Sequence, residues 1–349
     1  MKKTMTCLFV VPVVFLISMQ SLSAQGVSKV GTTAASFLEI GIGSRAVSMG
    51  GAYVGLADDV TSIYWNPGGL ALMPRSEVTF IHNQWLAGIN FNYIAGAFPV
   101  GSLGTIGASI TSISSGEMLV RTVENPEGTG EWFETTNMAL ALGWGRRFTD
   151  RFSFGANLKY IEEGIWHMKA RSMAVDLGTT FRTQFKDMRI GMSVSNFGGK
   201  MQLEGRDTQI NYDVDEEMAG NNSKISGHLD TDAWSLPLLF RVGVAGDVVR
   251  LPHAKLTMTL DAAHPNNYSE SVSIGGEATI MNTVFLRAGK TLYLSDTNEN
   301  GSQYSPQGIC LGAGVNYLFT RRMRIKVDYA YGDFGILDHV QRFSLSLVF

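Results

Sequence analysis

Hydrophobic positions recur with a period of two along most of the chain. In "HVQRFSLSLVF", His339 to Phe349, the residues Phe343, Leu345, Leu347 and Phe349 share one face, and Ser344, Ser346 and Val348 take the other. "MRIKVDYAY" sets Arg324, Lys326 and Asp328 against Ile325, Val327, Tyr329 and Tyr331, and "FSFGANLKYI" and "KLTMTLDA" repeat the alternation. Such runs predict fourteen strands, near 77–83, 90–99, 103–113, 137–148, 152–162, 171–182, 188–197, 236–248, 254–264, 271–280, 284–293, 306–318, 323–331 and 340–349. A strand with one apolar face fits a soluble sandwich and a barrel in lipid equally well, because the two differ only in which face meets the solvent.

The connections separate these two folds. Every second one is short, near 100–103, 149–150, 184–187, 250–253, 281–283 and 320–322. The others are mostly longer, with large ones at 114–136 and 198–235 and smaller ones at 163–170, 265–270, 294–305 and 332–339. Outer-membrane barrels have short periplasmic turns and longer outer loops, whereas a sandwich has no reason to alternate so regularly. The pattern therefore predicts an all-β chain: a fourteen-stranded antiparallel transmembrane β-barrel over residues 77–349, in the bacterial outer membrane. The final alternating strand with its terminal Phe349 resembles the assembly signal of such barrels.

Residues 1–25 read separately. Lys2 and Lys3 precede an apolar run from Cys7 to Met19, and "LSAQ" offers a cleavage point after Ala24, so the segment reads as a cleaved export signal. The whole chain carries a formal net charge of −3, and loss of the two lysines makes it about −5. That balance leaves no basic footprint for nucleic acid. Only Cys310 remains after cleavage, which excludes an internal disulfide and any metal cage built on cysteine. No later stretch approaches the roughly 18 apolar residues of a membrane helix.

"ADDVTSIYWNPGGLALMP", Ala57 to Pro74, breaks the alternation. Asp58 or Asp59 is placed to cap a short helix through Ile63 to Trp65, and Pro67 forces Asn66 out of the helical region. The helix lies in a segment, 26–76, that also carries an apolar series and Gly41, Gly43, Gly50, Gly51 and Gly55. A barrel of fourteen strands is too wide for its own side chains to fill, so this segment is expected to plug it.

The stretch "FLEIGIGSRAVSMGGAYVGLADDVTSIYWNPGGLA", Phe37 to Ala71, resembles the N-terminal signature of the PorV/PorQ family, which is related to FadL-type channels. The resemblance implies a FadL-like barrel with an N-terminal helical hatch in its lumen. Its hatch motif falls on Gly41, Gly43, Arg45, Gly50, Asp58, Asp59, Trp65, Asn66, Pro67, Gly69 and Leu70. It also implies a function: binding and handing over cargo that bears a C-terminal sorting domain, as a component of type IX secretion. The expected partners are then secretion components or cargo, with outer-membrane lipid and lipopolysaccharide around the wall. The alternative is a FadL-type channel for hydrophobic small molecules such as fatty acids, with a hydrophobic ligand. That alternative predicts an apolar pocket between hatch and wall and a break in the third strand, where Gly101, Gly104 and Gly107 weaken pairing. The secretion reading predicts a closed wall and an exposed apolar patch on the outer loops.

Arg45, Asp58 and Asp59 are expected to tie the plug to lumen charges, among Lys159, Asp176, Arg241, Asp261, Glu277, Arg287, Lys326 and Asp328, because charges withdrawn from water need partners. A gate that shifts on ligand binding is the other reading of the same residues. The acidic loop from Gly198 to Ser235 reads as a solvated loop, or as a surface for a basic partner or a divalent cation. Trp132 and Phe133 are candidate partner contacts, or members of an aromatic girdle. "DTNENG", Asp296 to Gly301, copies half of a calcium loop, but Gln307 stands where a bidentate Glu is required, so no metal is expected. Neither a Gly-x-Ser-x-Gly nor a His-Glu-x-x-His run is present, and His167, His228, His264 and His339 have no placed nucleophile. No enzyme activity and no cofactor are expected.

Overall fold

The computed structural model describes residues 31–214, 224–294 and 308–349. The expected signal peptide and "DTNENG" lie outside these. Fourteen strands form one antiparallel sheet: β1 Glu77–Gln84, β2 Asn90–Pro99, β3 Thr105–Ser114, β4 Thr135–Arg147, β5 Phe152–Ile165, β6 Met168–Arg182, β7 Arg189–Gly198, β8 Leu239–Arg250, β9 Ala254–Pro265, β10 Ser271–Ile280, β11 Val284–Tyr293, β12 Ile309–Leu318, β13 Arg324–Asp333 and β14 His339–Val348. Each pairs with its neighbours in sequence. β1 pairs with β14 from Glu77↔Val348 to Asn83↔Arg342, so the sheet closes and has no edge.

The faces are inverted relative to a soluble protein. In β14, Phe343, Leu345 and Leu347 point outward and are 38–55 % exposed, while Arg342, Ser344 and Ser346 point inward and are buried. In β13, Val327 is exposed and Asp328 buried. The same belt of Phe80, Ile94, Ile110, Leu142, Leu260 and Leu286 runs around the outside. Ten residues at about 3.3 Å each, tilted near 40°, cover roughly the 25 Å apolar band of an outer-membrane barrel. A contiguous apolar belt of this size is stable only against hydrocarbon, so the barrel spans a membrane, and the architecture is that of the bacterial outer membrane.

Two expectations are corrected here. Trp166 and His167 alone connect β5 to β6, where a longer loop at 163–170 was expected. Above the belt both faces of the hairpin are wet, so Glu162, Lys169 and Arg171 break the alternation although pairing continues and the three charges bond one another. The third strand has no break: β3 pairs residue for residue with β2 and with β4 along its whole length. Gly101 and Gly104 lie in the preceding turn with φ of +52° and +98°, and Gly107 is small for a different reason, given below.

Leu345→Arg, on the lipid face of β14, is expected to cost about 2–4 kcal/mol if it sits near the bilayer midplane. Reduced heat-modifiable, folded barrel on cold gels would show this; wild-type folding yield would contradict the lipid-facing assignment.

Candidate functional site

Residues 31–76 run through the lumen from one end to the other. At the long-loop end Thr33 bridges to Ser235, and Asn267 Nδ2 donates to Thr33 Oγ1. At the short-turn end Phe349 N donates to Ser76 O, just before β1 begins. Between them lie a 3-10 turn Ser36–Glu39, a one-turn helix α1 Ser44–Val47, a second helix α2 Ser62–Trp65, and a 3-10 stretch Pro67–Leu72. Asn66 is extended, as Pro67 requires. Neither aspartate caps α2, whose N-cap is Thr61. Instead Asp59 Oδ1 accepts from Thr61 N and Thr61 Oγ1, tightening the turn before the helix.

The segment lies directly on inward-facing wall glycines. A Cβ at Gly155 would collide with the Pro67 carbonyl, at Gly178 with Asn66 Oδ1, at Gly191 with the Val54 carbonyl, and at Gly289 with the Met49 backbone. Gly107 belongs to the same set, its missing Cβ leaving room for Ile63 Cδ1. Gly50 adds a positive φ of +67° to a close approach on the Lys290 backbone. On the segment's own side, Gly69 lies against the Ala57 carbonyl.

Asn66 is one point at which segment and wall share hydrogen bonds. Fully buried, it donates from Nδ2 to Val54 O at 2.9 Å and Thr179 O at 3.0 Å, and accepts from Gly68 N at 3.0 Å. Trp65 Nε1 donates to Ile42 O at 2.8 Å, and the Arg241 guanidinium lies 5.0 Å over its ring. Leu70 is buried in the main apolar cluster beside Ile63.

The lumen charges sort into separate groups. Arg45 makes a two-pronged pair with Glu277, Nε to Oε2 at 2.9 Å and Nη2 to Oε1 at 3.0 Å, and also reaches Asp58 at 2.8 Å and Asp59 at 3.2 Å. Asp58 pairs across to Arg189, a residue the sequence reading missed. Burial disfavours the Asp58 charge, yet Arg45 and Arg189 outweigh it and hold its carboxyl well below the usual range. Arg287 bridges Glu277 and Asp328, and Lys326 bonds Glu77 at 3.0 Å. Lys159 and Asp176 do not meet the plug's charges. They pair with each other at 2.8 Å, joined by Asn157 and Asn196, where β6 and β7 shift register. Asp261 accepts from Val54 N at 2.7 Å. Arg241 stacks on Tyr64 and Trp65 and makes no ion pair among the described residues.

Two cavities flank α1. The outer one, about 370 Å³, is bounded by Val47, Gly50, Gly51, Trp65, Arg241 and Arg342 and by residues of the long-loop end, Trp85, Tyr268 and Phe334. The inner one, about 130 Å³, is polar and lined by Ser44, Arg45, Glu77, Arg287 and Lys326. The turn Ser44–Val47 is the partition between them, held to the wall by Ser44 N to Ser344 Oγ and Ser44 Oγ to Arg342 O. Trp132 is exposed and Phe133 half-buried, in a two-residue ladder with Met118 and Leu119. Among the described residues no cluster of three metal-ligating side chains occurs.

Residues 13–184 match UPF0164, an uncharacterised protein family. No curated protein matches. Among solved structures, the CymD monoaromatic hydrocarbon channel is similar with a TM-score of 0.54 at 11 % identity, over 88 % of this chain and 97 % of that one. The toluene transporter TbuX of Ralstonia pickettii gives 0.53 at 11 %, over 88 % and 97 %. The toluene transporter TodX of Pseudomonas putida gives 0.53 at 13 %, over 88 % and 96 %. The fold is FadL-type. At such identities the likeness concerns the FadL-type fold alone.

Gly155→Val is expected to leave the barrel folded and dislodge the luminal segment. Limited proteolysis should then cleave within residues 31–76 at least tenfold faster than in wild type, with the wall intact. Asn66→Ala, which leaves buried carbonyls unpaired, is expected to weaken docking by about 1–3 kcal/mol. The Asp58 contribution has a defined pH window. Because its folded pKa is depressed, the stabilisation is complete above the ordinary carboxylate value of about 4 and drains as the pH falls below it. Amide exchange in residues 44–66, corrected for intrinsic rates, should therefore accelerate as the pH falls below about 4, and Asp58→Asn should flatten that response.

Proposed function

We propose that the chain is an outer-membrane channel that takes up small hydrophobic molecules through the outer cavity, with residues 31–76 acting as its hatch. The observation that carries this reading is the 370 Å³ cavity between luminal segment and wall, ringed by Trp65, Trp85, Tyr268, Tyr293 and Phe334 near the long-loop end. Its size and aromatic lining suit a small apolar guest. The hydrocarbon channels with the same fold support the reading by analogy. Because β3 is paired throughout, the route proposed here runs down the lumen past α1 and not sideways through the wall.

The closed wall, together with Trp132, Trp166 and Trp234 exposed on the outer loops, favours a second reading. On it the barrel is a PorV/PorQ-type component that hands over cargo in type IX secretion. Co-purification of secretion components or sorting-domain cargo, lost on deleting residues 198–235, would favour it over the channel.

Uptake of 1-N-phenylnaphthylamine by cells with an intact outer membrane tests the channel directly. Expression of the barrel should raise the uptake rate several-fold. Ala263→Trp, which fills the cavity from β9, should remove most of that increase. Equal uptake with and without the barrel would refute the channel.

A further inference from the structure

The outer cavity contains a positive charge with no carboxylate partner among the described residues. Arg342, inward-facing on β14, is 2 % exposed, and its Nε and Nη1 have no hydrogen-bond partner. Its guanidinium lies 5.0 Å over the Trp85 ring. By contrast Arg45, Arg189, Arg287, Lys159 and Lys326 each have a carboxylate oxygen within 3.2 Å. A buried guanidinium without hydrogen bonds or a counter-charge is costly, and a ring face recovers only part of that cost. Arg241 shares the lack of a carboxylate partner, but only Arg342 among the described lumen cations has buried guanidinium nitrogens left without a hydrogen bond.

The cavity's own acids do not fill the gap. Glu39 accepts from Asn267 Nδ2, and burial pushes its carboxyl above the ordinary range despite that bond and the Arg241 charge. Asp261 accepts from Val54 N through Oδ2 and makes no ion pair with Arg342 among the described residues. Arg241 itself is occupied by the Tyr64 and Trp65 rings. What remains is one planar, five-donor fork lining a cavity of about 370 Å³ that also presents the rings of Trp65, Trp85, Tyr268, Tyr293 and Phe334. That fork matches a carboxylate, which it can bind through two parallel hydrogen bonds.

We propose that the outer cavity binds a small organic acid with a compact apolar body, its carboxylate on the Arg342 guanidinium and its body against Trp65, Trp85 and Phe334. The proposal rests on the reading of this cavity as the ligand site of a channel, and replaces a neutral guest by an anionic one. The floor formed by Val47, Gly50 and Gly51 favours a compact body, such as a single ring, over an extended chain. Arg342 is the residue that sets the preference.

Titration of the full-length barrel in detergent, followed by tryptophan fluorescence and calorimetry, tests this with benzoate, toluene and decanoate as probes. Benzoate is expected to bind at least tenfold more tightly than toluene. Arg342→Met should erase that advantage while toluene binding persists, and Arg342→Lys should restore part of it; heat-modifiability on cold gels verifies that each variant is folded. Equal affinities for benzoate and toluene, or benzoate binding unchanged in Arg342→Met, overturn the anion site while leaving the channel intact. Decanoate binding tenfold tighter than benzoate overturns the compact body. If none of the three probes binds and Ala263→Trp leaves uptake unchanged, the channel reading fails together with its ligand.

Discussion

The structure depends on a backbone laid directly on a backbone. Strand residues such as Gly155, Gly178, Gly191 and Gly289 offer the luminal segment no side chain to climb over, so peptide groups of Met49, Val54, Asn66 and Pro67 come within contact of the wall. A residue with a Cβ at any of these positions would hold the segment away from the sheet. At that greater distance Asn66 could no longer reach Val54 O and Thr179 O together. The close seat also fixes where Arg45 meets Glu277 and where α1 meets Ser344. Docking geometry, charge pairing and the division of the lumen therefore follow from one steric condition.

The ion pairs act within that geometry. Arg45 has carboxylates on three sides, two from its own segment and one from β10, so it links the segment's internal fold to the wall. Burying such a group without its partners would be prohibitive, and burying it with them is close to neutral. The network selects one seated position among the many that apolar packing would permit. Lys159 and Asp176 perform a separate task, joining β5 to β6 at the place where the β6 and β7 ladder slips by a residue.

Most of the wall was legible in the sequence, because lipid on one side and a polar lumen on the other impose a strict two-residue period. Phe343, Leu345 and Leu347 announce their strand without any tertiary information. The period fails where both faces are wet, which is why residues 163–170 of the β5 and β6 hairpin read as a loop. The glycine seat was not legible, since a glycine that weakens a strand and one that admits a neighbour look the same in one dimension; Gly107 was read as the first and is the second. Arg189 and Glu77 were missed because each sits at the first residue of a strand. Arg342 could have been found: it shares the inward face with Ser344 and Ser346, and a lone arginine on that face calls for an anion.

The partition between the two cavities is a single helical turn, Ser44–Val47. In the channel proposed above, a passage down the lumen would therefore need neither removal of the whole segment nor a slit in the wall. Displacing this turn would break the Ser44 bonds to Ser344 and Arg342 and the Arg45 contacts with Glu277, Asp58 and Asp59, while Asn66 and the glycine contacts at Gly155 and Gly178 stay engaged. On that reading the segment divides into a deeply seated anchor at Asn66 and a single turn, Ser44–Val47, that alone separates the two cavities.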